Sequence, residues 1–334
     1  MTIQVIRPGL CTSVQDLGRY GYRKQGVVVS GAMDTTALRI GNRLVGNEEA
    51  AAALEITLVG PKLLFEEDTL ISICGGDLSP HIDGCIVPLW RPVLVKSGSI
   101  LQFGAPKLGC RSYIAVAGGI DVPTVMGSSS TYIRGEFGGL EGRNVKEGDR
   151  LFIGKASELA CCFARQLSDG EKKSFSAAKW GFSSALLPAY LSRSIVRMIR
   201  GPQFEWFTER AQEELFARSF HITTNSDRMG YRLGGGKLEL QGAAELFSEA
   251  VSIGTIQVPP EGNPIVLMAD CQTTGGYPNI GYVVSVDIPI LAQLKPGDFV
   301  SFQEISLGQA HMLMLAQEKL LKLAARGILW KGKG

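Results

Sequence analysis

Short apolar runs recur along the first part of the chain, near 56–58, 62–65, 70–74, 80–83, 93–95, 100–103 and 112–116, with Gly- and Pro-containing turns between them. Turn residues spaced every eight to twelve positions predict short strands of a barrel or sandwich. A strand at Ile3–Ile6 comes first, followed by a Gly-rich loop to residue 34, and EGDRLFI (147–153) reads as a closing strand. Two short helices are predicted at 35–45 and 47–54, with Asp34 or Thr35 as cap and Leu38, Ile40, Leu44 and Val45 as the apolar positions. Residues 155–190, rich in Ser, Ala and Lys with Pro188 near the end, break the rhythm and read as a partly structured linker. The pattern resumes at Ser194–Ile199, then a helix at Gln203–Ala217 carries Phe204, Phe207, Ala211, Leu215 and Phe216 on one face. Further strands run to Phe302, and a last helix near 308–325 is apolar at Met312, Leu315, Leu320 and Leu323. Two domains are therefore expected, 1–190 and 191–334. A weak internal echo, Gly21-Tyr22-Arg23 against Gly230-Tyr231-Arg232, agrees with a duplication.

The densest stretch is VSIGTIQVPPEGNPIVLMADCQTTGGYPNIGY, 251–282. A run from Val251 to Val258 stops at Pro259-Pro260, the chain turns through Glu261-Gly262-Asn263-Pro264, and Ile265–Ala269 leads to Asp270. This is a hairpin that concentrates Asp270, Gln272, Thr273 and Thr274 at one strand exit, before Gly275-Gly276-Tyr277-Pro278. Glycines there let backbone N–H groups approach a ligand closely, because no Cβ blocks φ > 0, although crowded turns favour the same residues.

Composition narrows the classes. Hydrophobic residues are 45% and charged residues 20%, a globular balance, and the net charge of +2 offers no basic surface for nucleic acid. MTIQVIRPG has no apolar signal core and no stretch of about 18 apolar residues occurs, so a cytoplasmic protein without membrane spans is expected. The basic tail, Arg326, Lys331 and Lys333, reads as a solvated end. Seven scattered cysteines without a Cys-x-x-Cys fit reduced thiols, and three distant histidines argue against a metal site. Cys271 is a buried free thiol rather than a nucleophile, since no base flanks it. Neither a phosphate-binding Gly-x-x-x-x-Gly-Lys-Ser/Thr loop nor a Gly-x-Ser-x-Gly elbow is present, and no biotin carrier segment is apparent.

Candidate chemistry falls into three groups. Asp16 and Arg19 share a glycine-punctuated loop with Arg23, where they either hold a charged substrate or staple the loop. Asp34 ends Ser30-Gly31-Ala32-Met33-Asp34, as a substrate contact or as a helix cap. Arg228 and Arg232 flank Gly230 and suit a carboxylate or phosphate oxygen, or else a salt bridge to Asp227 or a neighbouring barrel carboxylate. Asp270 would serve as a base if burial raised its pKa. With Gln272 and Thr273 it forms the candidate catalytic set, beside the candidate binding residues Thr274, Gly275, Gly276 and Tyr277. Glu55 and Asp77 are further carboxylates at turns.

Four separated segments carry a family resemblance. SEAVSIGTIQVPPEGNPIVLMADCQTTGGYP, RPGLCTSVQDLGRYGYRKQGVVVSGAMD (7–34), the block from Leu54 to Leu78 and SDRMGYRLGG (226–235) resemble segments of the family of 5-oxoprolinase C subunits. That family is also called the second-subunit allophanate hydrolase type, and it is similar to half of the carboxyltransferase domain of urea carboxylase. Val29 stands where the family usually has Pro. The resemblance implies a mainly β fold of two cyclophilin-like β-barrel domains with capping helices. It implies an ATP-hydrolysing 5-oxoprolinase, inactive as a single chain, which converts 5-oxo-L-proline to L-glutamate with subunits of the B and A types. The substrate's carboxylate gives Arg228 and Arg232 a target. Two alternatives come with the resemblance: a regulatory antagonist that binds the inhibitor of a sporulation histidine kinase, and a urea/allophanate-type carboxyltransferase component.

Overall fold

A computed structural model describes residues 2–168, 174–183, 187, 189–242 and 246–332. Pro188 and Lys333 lie outside the described residues. The chain forms two compact units: residues 1–19, 34–188 and 320–334, and residues 20–33 and 189–319.

The first unit contains β1 (Thr2–Arg7), β2 (Cys11–Gln15), α1 (Thr35–Leu44), β3 (Ala53–Thr57), β4 (Lys62–Phe65), β5 (Thr69–Asp77), β6 (Pro80–Ile82) and β7 (Cys85–Ile86). It continues with β8 (Pro92–Val95), β9 (Ile100–Phe103), β10 (Leu108–Val116), β11 (Arg150–Phe152), α2 (Glu158–Ser168) and β12 (Phe175–Ala177). Its strands form two six-stranded sheets, β11-β1-β4-β9-β6-β7 and β12-β8-β5-β10-β3-β2. One core joins them: Ile3, Val5, Leu63 and Leu101 from the first sheet meet Val14, Leu54, Ile73 and Ile114 from the second. The alternation of side chains along each strand puts these positions on the inward faces.

The second sheet's other face is also buried and is polar. Ser13, Glu55, Tyr113 and Cys74 lie in register across β2, β3, β10 and β5. Tyr113 donates to Glu55 Oε2 at 2.7 Å and accepts from the Asp34 amide at 2.8 Å. Burial first, then the Glu55 and Asp34 charges, push the Tyr113 phenol well above its usual pKa. Asp34 is the N-cap of α1, accepting from Ala37 N at 2.9 Å, and its side chain is fully buried.

Three expectations need correction, the first being that the loop to residue 34 holds a strand, β2, which pairs with β3. The predicted second helix at 47–54 is not formed: Gly46, left-handed at φ 77°, follows α1, and residues from Ala53 enter β3 because pairing with β2 and β10 outweighs their local helix propensity. The helix expected from Gln203 begins at Glu209, because Thr208 caps it, leaving Phe204–Trp206 as a single 3₁₀ turn. The structured part of the 155–190 stretch is α2, which buries Ala160 and Phe163, and β12, which pairs with β8.

The second unit contains β13 (Arg193–Arg200), α3 (Glu209–Ala217), β14 (Ser219–Ile222), β15 (Gly230–Gly234), β16 (Glu249–Ala250), β17 (Thr255–Gln257) and β18 (Ile265–Leu267). β19 (Thr274–Gly275), β20 (Asn279–Val283), α4 (Ile288–Ala292) and β21 (Phe299–Glu304) complete it. Seven strands close a barrel in the order β13-β20-β17-β18-β15-β14-β21, and β21 returns to β13 in parallel. β16 and β19 form a separate two-stranded ribbon. Alternate residues fill the interior, among them Val196, Met198, Phe220, Tyr231, Ile256, Val266, Ile280 and Phe302, and α3 and α4 add Leu215 and Leu291. The expected hairpin is present, with Ile256 opposite Val266 and Gln257 opposite Ile265. The last helix, α5 (Leu307–Lys331), runs further than predicted; its residues from 320 on, with the buried Leu321 and Ile328, belong to the first unit. Among the described residues no helix is long and apolar enough to cross a membrane.

Asp34→Ala is expected to lower unfolding free energy by about 1–2 kcal/mol in urea titration, with Asp34→Asn retaining most of it, because the loss is that of a helix cap. Among the thiols, Cys85 and Cys161 are exposed, whereas Cys74 and Cys271 are buried. Burial first, with Asp270 adding to it against Arg23, pushes the Cys271 thiol from 9.0 to about 11, and burial raises Cys74 as well. A maleimide should therefore label Cys85 and Cys161 in the native protein and reach Cys74 and Cys271 only on unfolding. The stabilisation linked to Cys271 is fully present below pH 9.0 and is lost as pH rises through about 11.

Candidate functional site

The exit of β18 is tied to the loop before β15 by backbone bonds. Met268 N donates to Met229 O at 2.9 Å, Asp270 N to Arg228 O at 2.8 Å, and Cys271 N closes a turn onto Met268 O at 3.1 Å. These bonds set the Asp270 and Arg228 side chains face to face. Arg228 Nε reaches Asp270 Oδ2 at 2.8 Å and Nη2 reaches Oδ1 at 3.0 Å, a bidentate pair with side chains only 10% and 6% exposed. Ser30 Oγ donates to Asp270 Oδ1 at 2.7 Å, and Arg228 Nη2 donates to Gly31 O at 2.6 Å. Asp227, the other proposed partner of Arg228, accepts from Met229 N and Gly230 N at the start of β15. Ser30 sits at φ 58°, a left-handed conformation that costs a non-glycine residue about 1 kcal/mol or more. Its bond to Asp270 offsets that strain.

Arg232 has a different setting. In β15 it alternates with the buried Tyr231 and Leu233 and projects outward. It lines an open cleft of about 500 Å³ with Thr223, Asn225, Glu261, Asn263, Ile265 and Tyr277. Thr223 Oγ1 is buried there with no hydrogen-bond partner among the described residues. An adjoining cleft shares Pro259, Glu261 and Tyr277. A guanidinium, a carboxylate, two amides and a phenol around a concavity of this size suit a small polar ligand bearing an anionic group.

Of the 272–278 segment, Tyr277 lines the cleft beside Arg232, and Gly276, Tyr277 and Pro278 line the adjoining one, whereas Gln272, Thr273, Thr274 and Gly275 line neither. Gln272 and Thr273 are half-buried, Thr274 and Gly276 exposed, and Thr273 O accepts from Val251 N at 3.1 Å. Gly275 pairs with Glu249 in the β16–β19 ribbon. Gly275 and Gly276 do not adopt the positive φ that the sequence suggests; in this stretch Gly262 does, at φ 83°. Gly275 leaves room for the Gln257 amide: a Cβ there would lie 2.6 Å from Nε2, so the amide would have to shift. Gln257, Gln203 and Asn279 form a buried amide network behind Tyr277, and sequence reasoning missed all three. The available signal was an amide at a core-facing position of an apolar strand.

The remaining candidates belong to the first unit. Asp16 accepts from Gly18 N, Ser128 Oγ and Ser129 N at 2.6–2.8 Å and from Ser130 Oγ. Arg19, fully buried, donates to Val125 O and Ser130 O at 2.9 Å and lies 4.7 Å from the Phe137 ring centroid. These bonds are those of a loop staple. Asp77 accepts from Ser79 N at 2.8 Å within a turn. Among the described residues no group of three or more His, Cys, Asp and Glu could hold a metal ion.

Comparison with known proteins places this geometry in a family. Residues 25–304 match the model described as carboxyltransferase domain, subdomain A and B. The chain is 40% identical over 309 residues to the 5-oxoprolinase C subunit of Escherichia coli, covering 92% of this chain and 93% of that protein. It is 36% identical to the 5-oxoprolinase C subunit of Haemophilus influenzae, covering 92% of each. The crystal structure of the K. lactis urea amidolyase superposes with a TM-score of 0.86 at 33% identity, over 96% of this chain but 20% of that one. The chain therefore belongs to the carboxyltransferase-domain family of subdomains A and B, alongside these 5-oxoprolinase C subunits.

Proposed function

We propose that this chain is a subunit of a cytoplasmic, ATP-dependent 5-oxoprolinase that opens 5-oxo-L-proline to L-glutamate and is inactive without partner subunits of the A and B types. The observation that carries the reading is identity of 40% over nearly the full length of a protein named as such a subunit. The lactam is a stable amide whose carbonyl needs activation, and phosphoryl transfer from ATP bound in the assembled complex would supply it. In this reading Arg232 holds the substrate carboxylate in the cleft, with Tyr277, Asn225 and Asn263 around the ring. Gln272, Thr273 and Thr274, which line neither cleft, are given no substrate contact in this reading. Asp270 acts through Arg228 and the Ser30 hydroxyl rather than as a base, because its carboxylate is already engaged on both oxygens.

A second reading, a component of a urea-type carboxyltransferase, is favoured by the superposition on the urea amidolyase. One experiment separates the two. The chain is copurified with candidate partners, and ATP hydrolysis dependent on 5-oxoproline is measured for chain, partners and mixture. The proposal expects activity only in the mixture. Glutamate release by the chain alone would overturn the need for partners. An intact complex that ignores 5-oxoproline would overturn the substrate, and a complex that binds its partners without any turnover would point to the regulatory role.

Two variants test the residue roles. Arg232→Ala should raise KM for 5-oxoproline about 10- to 100-fold, the loss of a charge-assisted hydrogen bond, with stability within about 0.5 kcal/mol of the parent in chemical denaturation. Asp270→Ala should cost about 3–5 kcal/mol by leaving Arg228 buried and uncompensated, whereas Arg228→Met combined with Asp270→Leu should cost much less. Full stability of Asp270→Ala with activity abolished would assign Asp270 to the chemistry instead.

A further inference from the structure

We infer that Gln257 is a positioning residue: its buried amide fixes the backbone of Tyr277 and so holds the Tyr277 ring at the cleft beside Arg232. The inference rests on the reading of that cleft as the substrate site.

The register of the barrel aims Gln257. Between β17 and β20, Ile256 pairs with Gly281 and Gln257 with Asn279, so Ile280 is an extra residue on β20. A bulge of this kind redirects the side chains next to it. The Gln257 side chain, 1% exposed, reaches both the segment before β20 and its own ladder partner, Asn279. Its Nε2 donates to Tyr277 O and to Asn279 Oδ1, both at 3.2 Å. The neighbouring backbone is held from a second side, since Asn279 N donates to the buried Gln203 Oε1 at 3.0 Å and Val258 N donates to Pro278 O at 3.0 Å.

Gly275 is the complementary observation. Its φ lies outside the left-handed region, so backbone conformation does not demand glycine there. The demand comes from Gln257, whose Nε2 and Oε1 would lie 2.6 and 2.9 Å from a Cβ. Two features thus converge on one contact: a bulge that delivers the amide and a glycine that admits it. The ring they support is 45% exposed and lines both adjoining clefts.

The test uses the full chain labelled with 3-fluorotyrosine, with the Tyr277 resonance assigned by Tyr277→Phe, together with steady-state kinetics of the assembled complex. Gln257→Glu keeps the shape and removes the donor; Gly275→Ala displaces the amide from the other side and keeps the donor. In both, the Tyr277 fluorine line is expected to shift and narrow while the other tyrosine lines stay in place. KM for 5-oxoproline should rise about 5- to 30-fold, the worth of one lost buried hydrogen bond, with kcat changed less than about 2-fold. An unmoved Tyr277 line in a folded variant overturns the inference, as does a shifted line with unchanged KM. If Gln257→Glu does not fold, Gly275→Ala decides alone. Failure of the substrate reading is separately visible: the parent complex would then be inactive toward 5-oxoproline, while the fluorine line still reports whether Gln257 holds Tyr277.

Discussion

The buried ion pair between Arg228 and Asp270 is the constraint on which the candidate site depends. Taking two charges out of water is costly, and the cost is recovered only when the geometry is good and the remaining hydrogen-bonding groups find partners. Both conditions are met: the pair is bidentate, the second Oδ1 site is taken by Ser30, and Arg228 spends another donor on Gly31 O. The same interactions order a loop far away in sequence and hold a serine in a left-handed conformation. Such a pair adds little net stability over a hydrophobic replacement, but it makes one arrangement of three segments much better than its competitors.

Two arginines four residues apart acquire unrelated tasks from this arrangement. Arg228 precedes β15 and is consumed by the ion pair, whereas Arg232 lies within the strand and faces outward into the cleft. A guanidinium already holding a carboxylate has little to offer a ligand anion, so the two are not interchangeable as substrate contacts.

Much of this was legible from the chain. Strand rhythm, the 251–269 hairpin and Asp34 as a cap follow from periodicity and local chemistry, and the β-rich fold with its closed seven-stranded barrel is found. What escaped depends on contacts between distant residues. Ala53 and Leu54, expected to end a helix, open a strand instead because β2 and β10 flank it. Gly275 looks like a turn glycine and is a clearance glycine. Gln257 is one polar letter in an apolar run, and only the bulge opposite it explains where its amide goes. The segment 20–33 carries no mark in its pattern that it packs with residues after 189.

The parallel seam between β13 and β21 has a consequence for how the second unit forms. Around a closed ring, strand directions can alternate without fault only if the number of strands is even. Seven strands force at least one like-directed neighbour, and here it falls where the unit's first and last strands meet, over Arg193–Met198 and Phe299–Glu304. That junction has the largest loop-closure entropy of any pairing in the barrel, and it cannot form during synthesis until nearly the whole unit has left the ribosome. Until then β13 and β14 each leave an edge without β21, so the interval before ring closure is when this chain is most open to mispairing and aggregation.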